Sequence, residues 1–218
     1  MKRLLFLILT ASFSFSAFAQ NFQVRLEPLQ INNMPGLQSF ANGEHNGKWI
    51  LIGGREDGLH RRQPWASFDS AGNNTRIYLV DPTKKTVTSV SVNVLSTAMA
   101  EQLQSTNMEF KQIGNTLYLV GGYGYSNSKA DHITHPYLTI VDLSGLVTAI
   151  ENNTSITPYF QQIADEKFAV TGGYLEMLDG IFYLVAGNRF DGRYNPMGHN
   201  TYTQKYTEQI KKFTVSTT

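Results

Sequence analysis

An apolar run that ends in paired glycine occurs three times in this chain and constrains its fold more than any other feature. It reads Trp49-Ile50-Leu51-Ile52-Gly53-Gly54, then Leu117-Tyr118-Leu119-Val120-Gly121-Gly122, and then, with one change, Phe182-Tyr183-Leu184-Val185-Ala186-Gly187. Gly121 lies 68 residues beyond Gly53, and Ala186 lies 65 beyond Gly121. Near-equal spacing of one phrase marks a repeated supersecondary unit. A glycine there lets a buried strand leave its sheet without a Cβ and turn into the polar loop that follows each copy.

Around each phrase the pattern predicts a four-stranded antiparallel meander. In the first unit, strands are expected over residues 37–41, 49–52, 75–80 and 86–92, with turn formers over 42–48 and a loop over 55–74. A short helix over 96–104 leads to a second unit with strands at 108–113, 116–120, 137–141 and 146–150. Residues 168–171 are read as a connection. The third unit has a hairpin at 174–185 turning on Asp179-Gly180, and a last strand at 209–215. An entry strand over 22–26 and a loop, together residues 20–36, precede the first unit.

Residues 1–19 read as a leader. Lys2 and Arg3 form a basic start, an apolar stretch follows, and Ala17-Phe18-Ala19 has small residues at both cleavage-specificity positions. A secreted or periplasmic chain is expected. No window reaches the ~18 apolar residues of a spanning helix. Without the leader the 18 Lys and Arg fall by two against 17 Asp and Glu, a balance of −1 that provides no nucleic-acid footprint. With 0 cysteines, thiol nucleophiles and cysteine metal ligands are excluded. Aromatics at 12%, 18 glycines and only 16% charged residues suit an all-β chain rich in turns.

With the strands and glycines in place, the chain resembles kelch-repeat β-propellers, and more narrowly exported kelch-like proteins of Bacteroidetes-type bacteria. The narrower likeness rests on Gly53-Gly54-Arg55, on Asp57 through Trp65, and on Asp191-Gly192-Arg193-Tyr194-Asn195-Pro196-Met197. The resemblance implies an all-β fold: a kelch-type propeller segment of about three four-stranded antiparallel blades, at 37–95, 107–151 and 168–216, within a domain over 37–218. The outer-strand tryptophan usual in kelch units is absent after Asp81 and Asp142. Propellers close with four to eight blades, so three blades imply half of a six-bladed ring, completed by a missing second half or by a homodimer, or else an open, inactive truncated fragment with exposed strand edges.

The loops after the three phrases should share one face, the usual address of binding sites on a rigid scaffold. Candidate binding residues there are Arg55, His60, Arg61, Arg62, Trp65, Tyr123, Tyr125, His132, His135, Arg189, Asp191, Arg193 and Tyr194. Aromatic faces and guanidinium donors suit a sugar or an acidic glycan, and a protein ligand is the other partner class. The plain alternative is that these side chains fasten the loops to each other. An enzymatic alternative is a sugar-processing activity, a sialic-acid-type isomerase or a glycoside hydrolase. It would use His60, His132 or His199 as acid/base with Arg61, Arg62 or Arg193 holding a substrate carboxylate, while paired carboxylates for glycoside hydrolysis could be drawn from Glu56, Asp57, Asp131 and Asp191. Asp131, His132 and His135 do not have a zinc spacing, so neither metal nor cofactor is expected. Galactose-oxidase-like chemistry needs a cysteine that this chain lacks.

Overall fold

The computed structural model describes residues 22–57, 65–198 and 201–216. In chain order the strands and helices are β1 (Ala41–His45), β2 (Lys48–Ile52), β3 (Arg76–Asp81), β4 (Thr86–Ser91), α1 (Thr97–Leu103), β5 (Glu109–Ile113), β6 (Thr116–Val120), β7 (Tyr123–Ser126), β8 (Asp131–Thr134), β9 (Tyr137–Asp142), α2 (Leu143–Glu151), β10 (Phe160–Ala164), β11 (Tyr174–Leu178), β12 (Ile181–Val185), β13 (Asn188–Gly192), β14 (Tyr202–Tyr206) and β15 (Ile210–Phe213).

Three sheets are blades. Their strand orders are β1-β2-β3-β4, β5-β6-β9-β10 and β11-β12-β15, all antiparallel. Strands β1, β5 and β11 lie next to one another and form the inner side of the array. The result is a propeller-like all-β fold whose blades do not close into a ring. Alternation within each phrase gives every blade two apolar faces. Ile50, Ile52, Ile77 and Leu79 of blade one meet Leu117, Leu119 and Val141 of blade two in one core. Val120 and Leu138 on the reverse of blade two meet Leu175, Phe182 and Leu184 of blade three in a second. Each side chain so buried contributes roughly 1.5–3 kcal/mol, so the blade contacts dominate stability.

Where the phrases end, both residues of each pair take positive φ. The values are 69° and 83° at Gly53 and Gly54, 64° and 91° at Gly121 and Gly122, and 57° and 82° at Ala186 and Gly187. A Cβ on Gly121 would collide with the backbone carbonyl of Val170, which crosses directly behind it. The glycine there serves close approach as well as the turn.

The fourth sheet is absent from the sequence reading. Residues expected to form loops after the second and third phrases instead fold as hairpins β7–β8 and β13–β14, which join as β14-β13-β8-β7. This cap draws strands from two repeats. It is tied together at Thr134, whose Oγ1 donates to Phe190 O (2.9 Å) and accepts from Phe190 N (2.8 Å).

Other local expectations shift. The strand expected over 146–150 is helix α2. Asp142 caps it, accepting from Ser144 N and Gly145 N, and Leu143, Leu146, Val147 and Ile150 fall on one buried stripe at helical spacing. The outer strand of blade two is β10, paired to β9. Blade one begins at Ala41 because only Asn46 and Gly47, with φ 51° and 74°, make the tight turn, so the strand runs up to them. The stretch expected as an entry strand has no regular structure, and Phe22, Val24 and Leu26 are exposed. The helix expected over 96–104 forms as α1.

Candidate functional site

Three loops converge on the cap. Residues 65–72, from the loop of blade one, lie against the hairpins of the other two: Arg193 Nε donates to Ser67 O (2.6 Å) and Nη2 to Trp65 O (3.1 Å). His132 Nε2 donates to Phe68 O (2.9 Å), which fixes its tautomer, and burial holds its pKa below the usual imidazole value. Phe68, at φ 51°, stands edge-on to Tyr123 and Tyr194, with ring centroids 5.0 and 5.8 Å away.

The hairpin β13–β14 explains the chemistry of the cleft beside this cluster. Its register pairs Asn188 with Tyr206, Phe190 with Gln204 and Gly192 with Tyr202. Side chains alternate across a strand, so amides and aromatics share one side while Arg189, Asp191, Thr203 and Lys205 occupy the other. The aromatic side opens onto a cavity of about 430 Å³ lined by Phe68, Asn107, Tyr123, Thr171, Gly172, Asn188, Phe190, Tyr194, Gln204 and Tyr206. No lysine, arginine, histidine or carboxylate lines it. Asn188 Nδ2 donates to Thr171 O (2.8 Å) and Gln204 Nε2 to Asn188 Oδ1 (2.9 Å). Among the described residues the Asn107 carboxamide and Gln204 Oε1 have no hydrogen-bond partner, and Asn107, Gln204 and Tyr206 are exposed.

The residues anticipated from sequence divide into separate groups. Tyr123 and Tyr194 line the cleft. Tyr123 is buried, its hydroxyl donating to Gly192 O and accepting from Tyr194 N, each at 2.8 Å, and burial raises its pKa. Tyr125, His132 and Arg193 border a smaller hollow of about 160 Å³. Arg55 is buried and fully engaged: Nε and Nη2 grip both oxygens of Asp57, Nη1 holds Asn73 Oδ1, Nη2 holds Asp69 O, and the guanidinium lies 5.0 Å from the Phe68 ring. It fastens the first loop. Arg189 bridges Asp191 and Glu166 on the reverse of the hairpin. Trp65 is exposed at the loop tip. His135 is wholly buried, stacked on Tyr137 with neither ring nitrogen hydrogen-bonded, and burial lowers its pKa to about 4. His60, Arg61, Arg62 and His199 lie outside the described residues.

The carboxylates named for hydrolysis are engaged locally as well. Glu56 accepts from Tyr78, Asp131 Oδ1 accepts from His132 N, and Asp57 and Asp191 serve the arginines. Among the described residues no group of three metal-ligating side chains converges. Sequence reasoning missed Phe68, Asn107, Asn188, Phe190, Gln204 and Tyr206 as a set, although the alternation Tyr202, Gln204, Tyr206 is a strand signal that was available.

A slightly larger cavity, about 480 Å³, lies along the inner strands between β5 and β11. Lys111 in its lining is neutralised by Glu176 at 2.5 Å. Glu109, also in the lining, is buried, one oxygen accepting from Gly173 N (2.6 Å), and burial pushes its carboxyl up to about 8. Its second oxygen is closed to solvent. Neither group offers that cavity a free recognition element, so the aromatic cleft is the better candidate despite its smaller volume.

No protein-family model matches the sequence, and no curated protein matches it. Among solved structures the fold matches that of YjhT, a kelch-type fold, with a TM-score of 0.51 at 12% identity, over 82% of this chain and 54% of that one. The likeness is one of fold. This chain spans about half the length of that structure.

Proposed function

We propose that this chain is an exported, kelch-type carbohydrate-binding module whose ligand sits in the aromatic cleft of the cap. The observation that carries this reading is the composition of the cleft: tyrosine and phenylalanine rings beside the carboxamides of Asn107, Asn188 and Gln204, of which Asn107 and the Gln204 oxygen have no partner among the described residues, with no lysine, arginine, histidine or carboxylate in the lining. Aromatic faces cover the C–H faces of a sugar ring. Asn107 and Gln204 at the rim have donors and acceptors for its hydroxyls. Neutral sugars fit such a lining better than acidic ones, because Arg55, Arg189 and Arg193 all spend their guanidinium groups on the protein. The lining offers no histidine or carboxylate pair of the kind that sugar hydrolysis uses. The leader over residues 1–19 supports export.

Calorimetric titration with neutral and uronate oligosaccharides tests the reading. A neutral saccharide should bind, and Tyr206→Ala, at a residue 70% exposed and free of core packing, should weaken it at least tenfold, about 1.4 kcal/mol, without changing the circular dichroism spectrum. Absence of neutral-saccharide binding, or binding that Tyr206→Ala and Asn107→Ala leave intact, would refute it.

A further inference from the structure

The residue that follows each left-handed pair is clamped in the same way in all three repeats. Arg55 pairs with Gln38, Tyr123 with Thr106 and Asn188 with Thr171, each by two main-chain hydrogen bonds of 2.8 to 3.0 Å. The clamps sit where each phrase leaves its blade, so the three side chains start from fixed points of the scaffold. Arg55 fastens the first loop and the Tyr123 hydroxyl ties the cap. Asn188 does something else.

Thr171 O accepts from Asn188 twice, from the main-chain N (3.0 Å) and from Nδ2 (2.8 Å). A main-chain carbonyl only accepts, so the Asn188 carboxamide must turn its NH2 to Thr171 and its oxygen the other way. That oxygen receives Gln204 Nε2 at 2.9 Å. An amide oxygen also only accepts, so Gln204 in its turn points its NH2 at Asn188. Gln204 Oε1 is then the end of the chain, without a partner among the described residues, on a side chain that lines the cleft. The polarity of these amides is set from the scaffold and not by the ligand. Asn107 lacks such an anchor for its carboxamide, which can turn either way.

We infer that Asn188 is a positioning residue that fixes Gln204 as a hydrogen-bond acceptor, and that the cleft selects saccharides with an unsubstituted hydroxyl where they cover Gln204 Oε1. This rests on the saccharide reading of the cleft. A ligand that covers Oε1 without donating leaves it with neither water nor partner, and that penalty is larger than the gain from an ordinary hydrogen bond. Reversing the Gln204 amide offers no escape, since it would set oxygen against oxygen at Asn188. Sugars O-methylated or O-acylated at that hydroxyl are therefore the ones rejected.

Deoxyfluoro derivatives of the neutral oligosaccharide that binds in calorimetry test this, because fluorine replaces one hydroxyl at similar size and removes its proton. At one position fluorine should weaken binding to the wild type about tenfold. Asn188→Ala keeps the main-chain clamp, and Gln204→Ala alters an exposed residue. In both variants fluorine at that position should cost no more than about twofold. The ligand-free protein gives a second readout. In NMR spectra Asn188→Ala should shift the Gln204 side-chain amide signals, whereas Gln204→Ala should leave the Asn188 amide bound to Thr171 O. Failure of every neutral oligosaccharide to bind overturns the saccharide reading and the inference with it. Binding in which no position loses its penalty in both variants, or Gln204 amide signals that Asn188→Ala leaves in place, overturns the inference alone.

Discussion

The blades and the cap are both antiparallel sheet, yet they are held by different means. In the blades each strand buries aliphatic side chains against the neighbouring repeat, and the two cores are almost wholly Ile, Leu, Val and Phe. In the cap the strands come from two repeats. They are joined by Thr134 to Phe190, by the Tyr123 hydroxyl to Gly192 and Tyr194, and by edge-on aromatic contacts around Phe68 and Phe190. The difference teaches how a rigid body and a surface open to solvent are separated. Apolar burial is strong and non-directional, which suits a scaffold. Directed polar bonds and ring edges leave aromatic rings and amides lining an open cleft, the one proposed above to bind a saccharide.

The comparison breaks most readily in the body. Gly121→Ala should cost about 4 kcal/mol, because a Cβ would meet the carbonyls of Val170 and Phe168 at a φ of 64°. A large fall in melting temperature that takes blades and cap together is expected; an unchanged melting temperature would contradict the close crossing.

Titration sharpens the comparison within the body. Glu109 has a pKa of about 8 in the fold against an ordinary 4.5, so its contribution is fully present below pH 4.5 and is lost as pH rises through 8. His135 is depressed to about 4, so the unfolded chain takes up its proton first, and stability falls as pH drops from 6.5 toward 4. The two slopes oppose between pH 4.5 and 6.5. Above 6.5 only the Glu109 slope remains. Glu109→Gln keeps an acceptor for Gly173 N and should raise stability at pH 8 by about 3 kcal/mol, flattening the profile from pH 6.5 to 8 in denaturant titrations. A profile as steep as the wild type would refute this.

In the cap the expected effects are smaller and local. Tyr123→Phe removes a buried hydroxyl that joins Gly192 to Tyr194 and should cost about 2 kcal/mol. The loss should register as faster proteolysis near residues 193–198 and altered near-ultraviolet dichroism, with the far-ultraviolet spectrum retained. Loss of both spectra would show the cap to be as essential as a blade. Ala186→Gly tests the seam between the regions: it relieves a left-handed alanine at φ 57° but loosens the unfolded chain, for a net gain of about 0.5 kcal/mol in unfolding free energy, read as a higher denaturant midpoint; a midpoint that falls would contradict this.

This contrast also explains what the sequence disclosed. The blades were legible because three aliphatic phrases ending in glycine repeat at even intervals. The cap was not, because its strands are short, polar and paired across repeats, so no single window carries the signal; Asn188 and Phe190 acquire meaning only opposite Tyr206 and Gln204. Helix α2 was misjudged as a strand although Leu143, Leu146, Val147 and Ile150 hold a helical stripe, because the repeat called for a fourth strand at that point. Among the site residues, arginine and histidine drew attention by chemical type. Burial assigns Arg55 to fastening a loop, and His135 is enclosed, whereas Tyr123 and Tyr194 line the cleft.

The most direct test of the division between scaffold and recognition surface is hydrogen exchange with and without a saturating neutral oligosaccharide. Ligand-induced protection should be confined to residues 123–134, 188–198 and 201–206 of the cap and to the adjoining 67–69, 107 and 171–172. Protection centred on residues 109–113 and 174–178 along the inner strands, or none at all, would contradict the assignment of binding to the cap.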